Sequence, residues 1–435
     1  MARMANVGWV LLISLGGTLS AQAPTVLNLD DAVKSAVEHN LSLQRTAWGL
    51  EAKKRQADNA WSVLIPSTSF TAGLSRANQT VTALGTEANT TWAYSESAGL
   101  SLSISASILA QLQQVKLNYQ SGQLTYDLAK RALEKNVRLA YSSLLLEEEN
   151  LTITRETLAR REQSLADART KYKVGLASDL DVLSAQVSVE TLKPSLQRLE
   201  VSHSNDMGQL KALLGLPLEK DIALEGDLNT EVEKTLNLAA AVPGVSPDVR
   251  QAELSVEASQ WSLQAAQWSV WVPTLSLGWT TAPGVQLKDG ATWADSSGAL
   301  SIRLSYSLDS FLPWTQGQEK LIEAQESVTT NHSVLEEAKT TSALKRENAF
   351  RLIRQAVQSL ETQGLNVQLA QKTYDMTLDA YHRGTKDLLA LQNAAGDLSQ
   401  ARYDLLSQRY TLISTVLDLE YELNVPFGTL WGGKK

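Results

Sequence analysis

The sequence contains no cysteine among its 435 residues. Disulfide bonds, thiolate metal sites, cysteine nucleophiles and lipid anchors on cysteine are therefore not expected. Histidine is also scarce, and none of the four histidines is spaced from another as metal ligands are. Basic residues do not outnumber acidic ones, and a net charge of −8 leaves no basic footprint for nucleic acid. With no nucleophile elbow and no phosphate-binding loop, the sequence predicts a non-enzyme without catalytic residues, cofactors, metal ions or a nucleic-acid partner.

Long apolar runs are absent apart from one near the N-terminus. Arg3 precedes an apolar run over 7–19, and small residues dominate 20–23. This order is typical of a secretory signal peptide, because a membrane-spanning helix needs about 20 apolar residues. We expect 1–23 to be the signal peptide, with the cleavage position left open because Pro24 would directly follow it. A chain without another such run is expected to enter a membrane only as β-strands.

The rest of the sequence is duplicated. WSVLIP at 61–66 returns as WSVWVP at 268–273, and SAGLSLSIS at 97–105 returns as SGALSIRLS at 297–305. Three shorter matches keep the same order, each about 200 residues after its counterpart. Five matches in one order indicate two copies of one structural unit. The predicted repeats are 24–225 and 226–435.

In each repeat a proline separates a helical pattern from a strand pattern. Pro66 and Pro273 cannot donate a further helical hydrogen bond, and they favour an extended conformation in the residue before them. Beyond each proline, apolar and small polar residues alternate. We therefore predict helix–strand junctions at these two prolines. The predicted strand pairs are about 67–76 with 97–108 and about 274–282 with 298–308.

The second strand of each pair has one aliphatic face and one face of small polar residues. A half-buried soluble sheet would carry longer charged side chains on its wet face, so we favour a water-filled lumen on the serine side and lipid on the other. The predicted lumen-facing residues are Ser101, Ser103, Ser105, Ser301, Arg303 and Ser305. Tryptophans near the strand ends suit a membrane interface, namely Trp92, Trp293 and Trp314.

Long heptad patterns follow each strand pair. Apolar residues recur at every seventh position over 137–172 and again over 353–381. This period favours coiled-coil packing of helices far longer than those of ordinary globular domains. The predicted antiparallel helical hairpins span about 110–215 and about 316–424. They turn at YKVG (172–175) and at YHRG (381–384).

The turns carry the signals of helix ends. Gly175 and Gly384 suit the left-handed residue that ends a helix. Ser178 and Asp181 have the spacing of a capping box, which predicts the start of the returning helix. Pro194 lies inside that returning helix and is expected to kink or interrupt it.

Two repeats supply four strands, which cannot stay open in lipid because unpaired edge amides and carbonyls are costly there. Four strands also close too tightly to enclose a polar lumen. The edges are therefore expected to pair with other copies of the chain, in a number that this argument leaves open. The alternative is a secreted or periplasmic coiled-coil structural protein or adhesin without a pore, in which the serine-faced strands would have no use.

Three segments in this setting resemble the TolC-like outer-membrane efflux proteins. They are LNLDDAVKSAVEHNLSLQ at 27–44, the YxxGxxSxLDVLSAQ pattern at 172–186 and ALLGLP at 212–217. The resemblance covers essentially the whole chain after the signal peptide. It implies a mixed α/β membrane protein, a homotrimer with a twelve-stranded barrel in the outer membrane and an α-helical barrel across the periplasm.

The resemblance also implies a function. Such proteins are the passive exit duct of tripartite efflux pumps or of type I secretion systems. Their partners are outer-membrane lipid, a periplasmic adaptor (membrane fusion protein) and an inner-membrane transporter. The cargo, the particular adaptor and transporter, and the choice between efflux and protein secretion stay open at this point.

By resemblance, the periplasmic tip is a gate that polar links between the hairpins hold closed. The family's linking aspartate corresponds to Asp181, and its tyrosine and basic partner correspond to Tyr381 and Lys386. Ala390 and Asn393 stand where well-known members carry two aspartates. Whether this chain has an acidic constriction ring therefore stays an open question. The residues expected to dock the adaptor are Tyr172, Gly175, Leu176, Ser178, Gly384, Thr385 and Asp387.

Overall fold

The computed structural model describes most of the chain after the predicted signal peptide. The described residues are 25–76, 80–82, 85–87, 92–228, 244–282, 284–287, 293–294, 298–308 and 312–431. The predicted signal peptide and the beginning of the second repeat, 226–243, lie wholly or largely outside these residues.

The same order of elements occurs twice, each time as helix, strands and a long helical hairpin. The first series is β1 Thr25–Leu27, α1 Leu29–His39, α2 Leu41–Asp58, a 3₁₀ turn Ala60–Leu64, β2 Ser67–Arg76, β3 Thr80–Thr82, β4 Gly85–Glu87, β5 Trp92–Ile104, α3 Ser107–Lys173, α4 Asp179–Leu214 and β6 Ile222–Leu224. The second series is α5 Pro247–Trp271, β7 Thr274–Thr281, β8 Gly284–Leu287, β9 Trp293–Ala294, β10 Ala299–Ser305, α6 Gln316–His382 and α7 Leu388–Glu422. Among the described helices, none is both long and apolar enough to cross a membrane.

Two very long helices dominate the molecule. Both α3 and α6 have 67 residues, and each is followed by a returning helix of about half that length. At 1.5 Å per residue, each long helix extends about 100 Å. Of the two outcomes expected at Pro194, an interruption does not occur, because α4 continues through it from Asp179 to Leu214. Pro194 lies on the exposed surface, where solvent can hydrate the carbonyl that a proline leaves without an amide partner.

The main sheet has six strands, and four of them lie side by side and antiparallel in the order β2-β5-β7-β10. The short strand β8 pairs with the Trp92 end of β5, and β9 pairs with β8. The register aligns Leu102 with Leu277, and Leu277 with Ile302, so the aliphatic side chains share one face. The next row aligns Ser103 with Ser276 on the other face. The alternation predicted along each strand therefore continues across all four.

The strand boundaries differ from the predicted ones. β5 begins earlier, at Trp92, and ends at Ile104, while β10 ends at Ser305, before the predicted ends at 108 and 308. The alternating pattern continues past β5 because Ile108, which is buried in the first turn of α3, keeps the same spacing. Ser105 lies one residue after the end of β5, and its hydroxyl lies 2.7 Å from that of Ser107, so it is not part of the strand as predicted. Its lumen-facing role stays a prediction.

The predicted interfacial tryptophans lie at both ends of the sheet. Trp92 begins β5 at the end away from the long helices, where Arg76 stacks over its ring at 5.8 Å. Trp314 precedes α6 at the other end and is largely exposed. The side chain of Trp293 lies outside the described part of the chain.

The main hydrophobic core lies where the short helices α1 and α2 meet both hairpins. At its centre the Tyr141 hydroxyl lies 2.8 and 2.6 Å from the carbonyl oxygens of Leu27 and Glu225, which share its one hydrogen, and it accepts from the Glu225 amide. These two residues adjoin β1 and β6, which pair in parallel. One side chain of α3 thus holds the N-terminal strand against the segment that links the repeats.

A buried carboxylate holds the C-terminal segment to the same core. Glu420 is 0% exposed and accepts hydrogen bonds from the amides of Gly428 and Leu430, at 3.0 and 2.8 Å. Arg131 donates to the carbonyl of Val425 in the same segment. The residues after α7 are therefore folded back onto α3 and α7.

Gly215 ends α4 in a left-handed conformation, with φ of 68°. A Cβ atom there would lie 2.6 Å from the carbonyl oxygen of His39. We expect Gly215→Ala to lower the free energy of unfolding by at least about 1–2 kcal/mol, the cost of a left-handed L-residue. The measurement is the apparent midpoint of thermal unfolding, followed by far-ultraviolet circular dichroism.

Gly208 provides the matched control because it lies inside the same helix with no heavy atom within 4 Å of its added Cβ. We expect Gly208→Ala to leave the midpoint unchanged or to raise it, since alanine favours a helix by up to about 1 kcal/mol over glycine. Equal midpoints for the two variants would contradict the prediction.

Candidate functional site

The two hairpin tips have the same backbone geometry. The amides of Gly175 and Leu176 donate to the carbonyls of Tyr172 and Lys171, at 3.0 and 2.8 Å. In the second hairpin Gly384 and Thr385 make the corresponding bonds, at 3.0 and 2.9 Å. The φ angles of these two glycines are 76° and 75°. The left-handed glycines predicted at the tips are thus present, and each ends its helix in a Schellman turn.

The returning helix α4 begins with the expected capping box. Ser178 Oγ accepts from the Asp181 amide at 3.1 Å, and Asp181 Oδ2 accepts from the Ser178 amide at 2.9 Å. The Ser178 hydroxyl also donates to that carboxylate at 2.7 Å, and this bond lowers the pKa of Asp181. The Asp181 side chain is therefore ionised at neutral pH. Asp387 is the N-cap of α7, as Ser178 is of α4, and its side chain accepts from the Ala390 amide at 2.8 Å.

Tyr381 lies in a small hydrophobic cluster that joins the two tips. Its side chain is 7% exposed and packs with Ala168 of α3, Ala185 of α4 and Leu388 of α7. Lys171 lies over its ring, with Nζ 3.7 Å from the centroid. Burial raises the pKa of Tyr381, and the negative charges of Asp167 and Asp181 raise it further. The tyrosine is therefore neutral, and it holds the hairpins together by packing.

The structure brings only two of the three predicted gate residues near each other. The charge of Asp181 raises the pKa of Tyr381. Tyr381 packs against Ala185 of α4, the helix to which Asp181 also belongs. Lys386 is exposed, and no ion pair in the described part of the chain includes it. A link between Asp181 and Lys386 is therefore not made within one chain.

The tip surface carries exposed apolar side chains. Leu176, one of the predicted docking residues, is 78% exposed. Leu180, Leu183 and Val187 continue along α4, and Leu389 is exposed on the second hairpin. The other predicted docking residues are also at the tip surface: Tyr172, Gly175, Ser178, Gly384, Thr385 and Asp387.

Polar contacts join the hairpins farther from the tips. The hydroxyls of Thr157 and Ser399 lie 2.7 Å apart between α3 and α7. Arg402 of α7 donates to Glu156 of α3 at 3.1 Å and to Gln371 of α6 at 2.9 Å. Sequence reasoning missed these contacts and that of Lys171, because no local pattern indicates which heptad residues of different helices meet.

Two carboxyl pairs lie nearer the main core. The pKa of Glu147 is raised to about 7, mainly by burial and to a smaller extent by a hydrogen bond with Asp206. Burial and a hydrogen bond with Asp227 likewise raise the pKa of Glu149 to about 7, although Arg409 acts in the opposite direction. Each pair therefore shares a proton over part of the range below neutral pH.

Comparison with known proteins identifies relatives of this architecture. The family profile described as outer membrane efflux protein matches residues 32–216 and 244–424. The outer membrane protein TtgF of a toluene efflux pump from Pseudomonas putida is 26% identical over 398 residues, covering 89% of this chain and 81% of that protein. TolC of Escherichia coli is 23% identical over 416 residues, covering 91% and 82%.

A solved structure extends the comparison to the fold. The CmeC outer membrane channel of Campylobacter jejuni has a TM-score of 0.77 with this chain at 15% sequence identity. The match covers 100% of this chain and 95% of that one. The helical hairpins and the four-stranded sheet thus form an arrangement that occurs in a solved outer membrane channel.

The carboxyl pairs predict how stability depends on pH. The folded pKa of Glu149 is about 7 against an ordinary value of 4.5, so the folded protein binds more protons than the unfolded chain between these values. Stability should therefore fall as pH rises through this window. We expect a higher apparent unfolding midpoint at about pH 5 than at about pH 8.

Glu149→Gln should reduce this difference, because the amide donates to Asp227 at any pH. Glu162→Gln is the control, since Glu162 lies exposed on the same helix. If the wild-type midpoint were flat with pH, or if both variants changed its slope equally, the assignment to the Glu149 pair would be wrong.

Proposed function

The chain belongs to the outer membrane efflux protein family, and on that basis we propose that three copies form one continuous duct. As a family member it is an outer-membrane efflux protein, with its strands in the membrane and its long helices in the periplasm. Three copies of a four-stranded sheet would close into a twelve-stranded barrel, and their hairpins would form a tunnel below it.

The sheet carries this proposal. Its aliphatic face is exposed in the single chain, with Leu300, Ile302 and Leu304 about 70% accessible, and such a face suits lipid. Its other face is small and polar, which suits a water-filled passage. β2 has 10 residues, or roughly 33 Å, and at a tilt of about 40° such a strand crosses about 25 Å, the height of the apolar band of an outer-membrane barrel. A coiled-coil rod without a pore would have no use for these strands.

The two edges of the sheet support assembly into a ring. β2 and β10 are the outer strands of the four, and each has a partner only on its inner side within the described residues. In lipid, each unpaired backbone group costs several kcal/mol, so the edge of β10 should pair with β2 of the next copy. The serines Ser101, Ser103 and Ser301, with Arg303, then face the lumen.

We further propose that the duct works in a tripartite pump. The exposed apolar tip would bind a periplasmic adaptor, which connects it to an inner-membrane transporter. The Pseudomonas putida relative belongs to a toluene efflux pump. We extend its role in a pump to this chain, and we leave the cargo open. The protein itself would perform no catalytic step, because passage is passive once the tip is open.

The tip is proposed as the gate. Tyr381 packs the two hairpins of one copy together, while no ion pair among the described residues includes Asp181 or Lys386. These two charges are therefore available to pair between neighbouring copies. Breaking that pair would let the hairpin tips separate.

The ring predicts a specific cross-link. Because the chain has no cysteine, Ser69→Cys on β2 and Ser301→Cys on β10 introduce the only thiols. In outer membranes, a bifunctional maleimide should convert the double variant into covalent dimers and trimers on denaturing gels. Each single variant is the control and should stay mainly monomeric. Only monomers from the double variant would contradict the ring.

The gate predicts a change in conductance. Asp181→Ala combined with Lys386→Ala should raise the single-channel conductance in planar bilayers several-fold, because the closing pair is lost. Ser178→Ala is the first control, since it weakens the helix cap but keeps the Asp181 charge. Asp179→Ala is the second, because it removes a neighbouring charge from the same first turn. Unchanged conductance in the double variant, or an equal rise in both controls, would exclude this gate.

A further inference from the structure

Arg303 is the one ionisable residue on the small polar face of the four described strands. It pairs in register with Ser276, which pairs in turn with Ser103. The remaining positions of that face on β2, β5, β7 and β10 are serine, threonine, glycine or alanine. A single fixed positive charge therefore lies in an otherwise neutral surface.

Nothing in the described part of the chain neutralises this charge. The Arg303 side chain is exposed and takes part in none of the ion pairs or side-chain hydrogen bonds found there. Two other charged residues in the four strands, Arg76 and Glu96, align with Trp92 and Ala72 and so belong to the opposite face. The guanidinium is therefore left to water and to whatever passes beside it.

Assembly into a ring would not neutralise the charge either. The neighbour of β10 would be β2 of the next copy, and the polar face of β2 presents no carboxylate. Its residues are Ser67, Ser69, Thr71, Gly73 and Ser75.

The register also fixes the depth of the charge. Ser305, the last residue of β10, pairs with Thr274, which directly follows the junction at Pro273. Arg303 lies two residues farther along, roughly 7 Å into the sheet from that junction. Copies of Arg303 would therefore meet at one level, where the barrel joins the helical tunnel.

We infer that Arg303 forms a ring of positive charge that binds small inorganic anions such as chloride and favours their passage through the duct. The inference rests on the proposed assembly into a channel. Rings of arginine or lysine side chains are a known means of anion selectivity. At 0.1 M salt a charge acts over about 10 Å, so three guanidiniums around one passage would affect every ion that crosses this level.

Reversal potentials in planar bilayers test the inference. Purified wild-type protein is placed under a potassium chloride gradient at low ionic strength, and the chloride-to-potassium permeability ratio is read from the potential. Arg303→Gln should lower this ratio at least about two-fold, and raising the salt should diminish the difference. Arg303→Lys should keep most of the wild-type ratio, because it keeps the charge.

Arg76→Gln is the matched control, since it removes the same charge from the opposite face of the same sheet. Heat-modifiable migration of each variant on denaturing gels shows that it has assembled. An unchanged ratio in assembled Arg303→Gln, or an equal change in Arg76→Gln, would overturn the inference alone. Wild-type protein without conductance steps would overturn the channel proposal and this inference with it.

Discussion

The pairing of backbone hydrogen bonds in the sheet is the constraint on which the rest of the architecture depends. One chain supplies four paired strands, and both outer strands need partners that water cannot provide inside lipid. The apolar face of the sheet is left uncovered, as a face in contact with lipid would be. Pro66 and Pro273 end the helical pattern just before the strands begin. At these prolines the backbone changes from hydrogen bonds within a helix to hydrogen bonds between strands.

The helices bury many apolar side chains near the sheet and few at the tips. Near the sheet, a large core unites α1 and α2 with both hairpins, and Tyr141 and Glu420 fasten the chain segments that cross it. At the tips, only a small cluster around Tyr381 joins the hairpins. The free energy of local opening is lowest where few apolar groups are buried. Movement should therefore concentrate at the tips, while the helices around the main core near the sheet stay fixed.

Much of the fold could be predicted because each element occurs twice and has a strong period. The heptads predicted both hairpins, and the YxxG segments predicted both turns, which the structure confirms. The strand ends were less predictable, since Ile108 continues the alternating pattern after α3 has begun. Contacts between distant segments, such as Lys171 with Tyr381, have no local signature at all. The lumen-facing, gating and docking roles remain predictions, because they concern surfaces that one chain exposes and only an assembly would bring together.

The equal length of the two long helices has a consequence for how such a chain can change. Both contain 67 residues, so both hairpins reach the same distance from the sheet and their tips can form one level rim. An inserted heptad in one repeat alone would push half of the tips beyond the others and separate Tyr381 from its partners. The distance from the sheet to the tips can therefore be altered only by matched changes of helix length in both repeats. The two repeats must keep equal lengths for the duct to span a given distance.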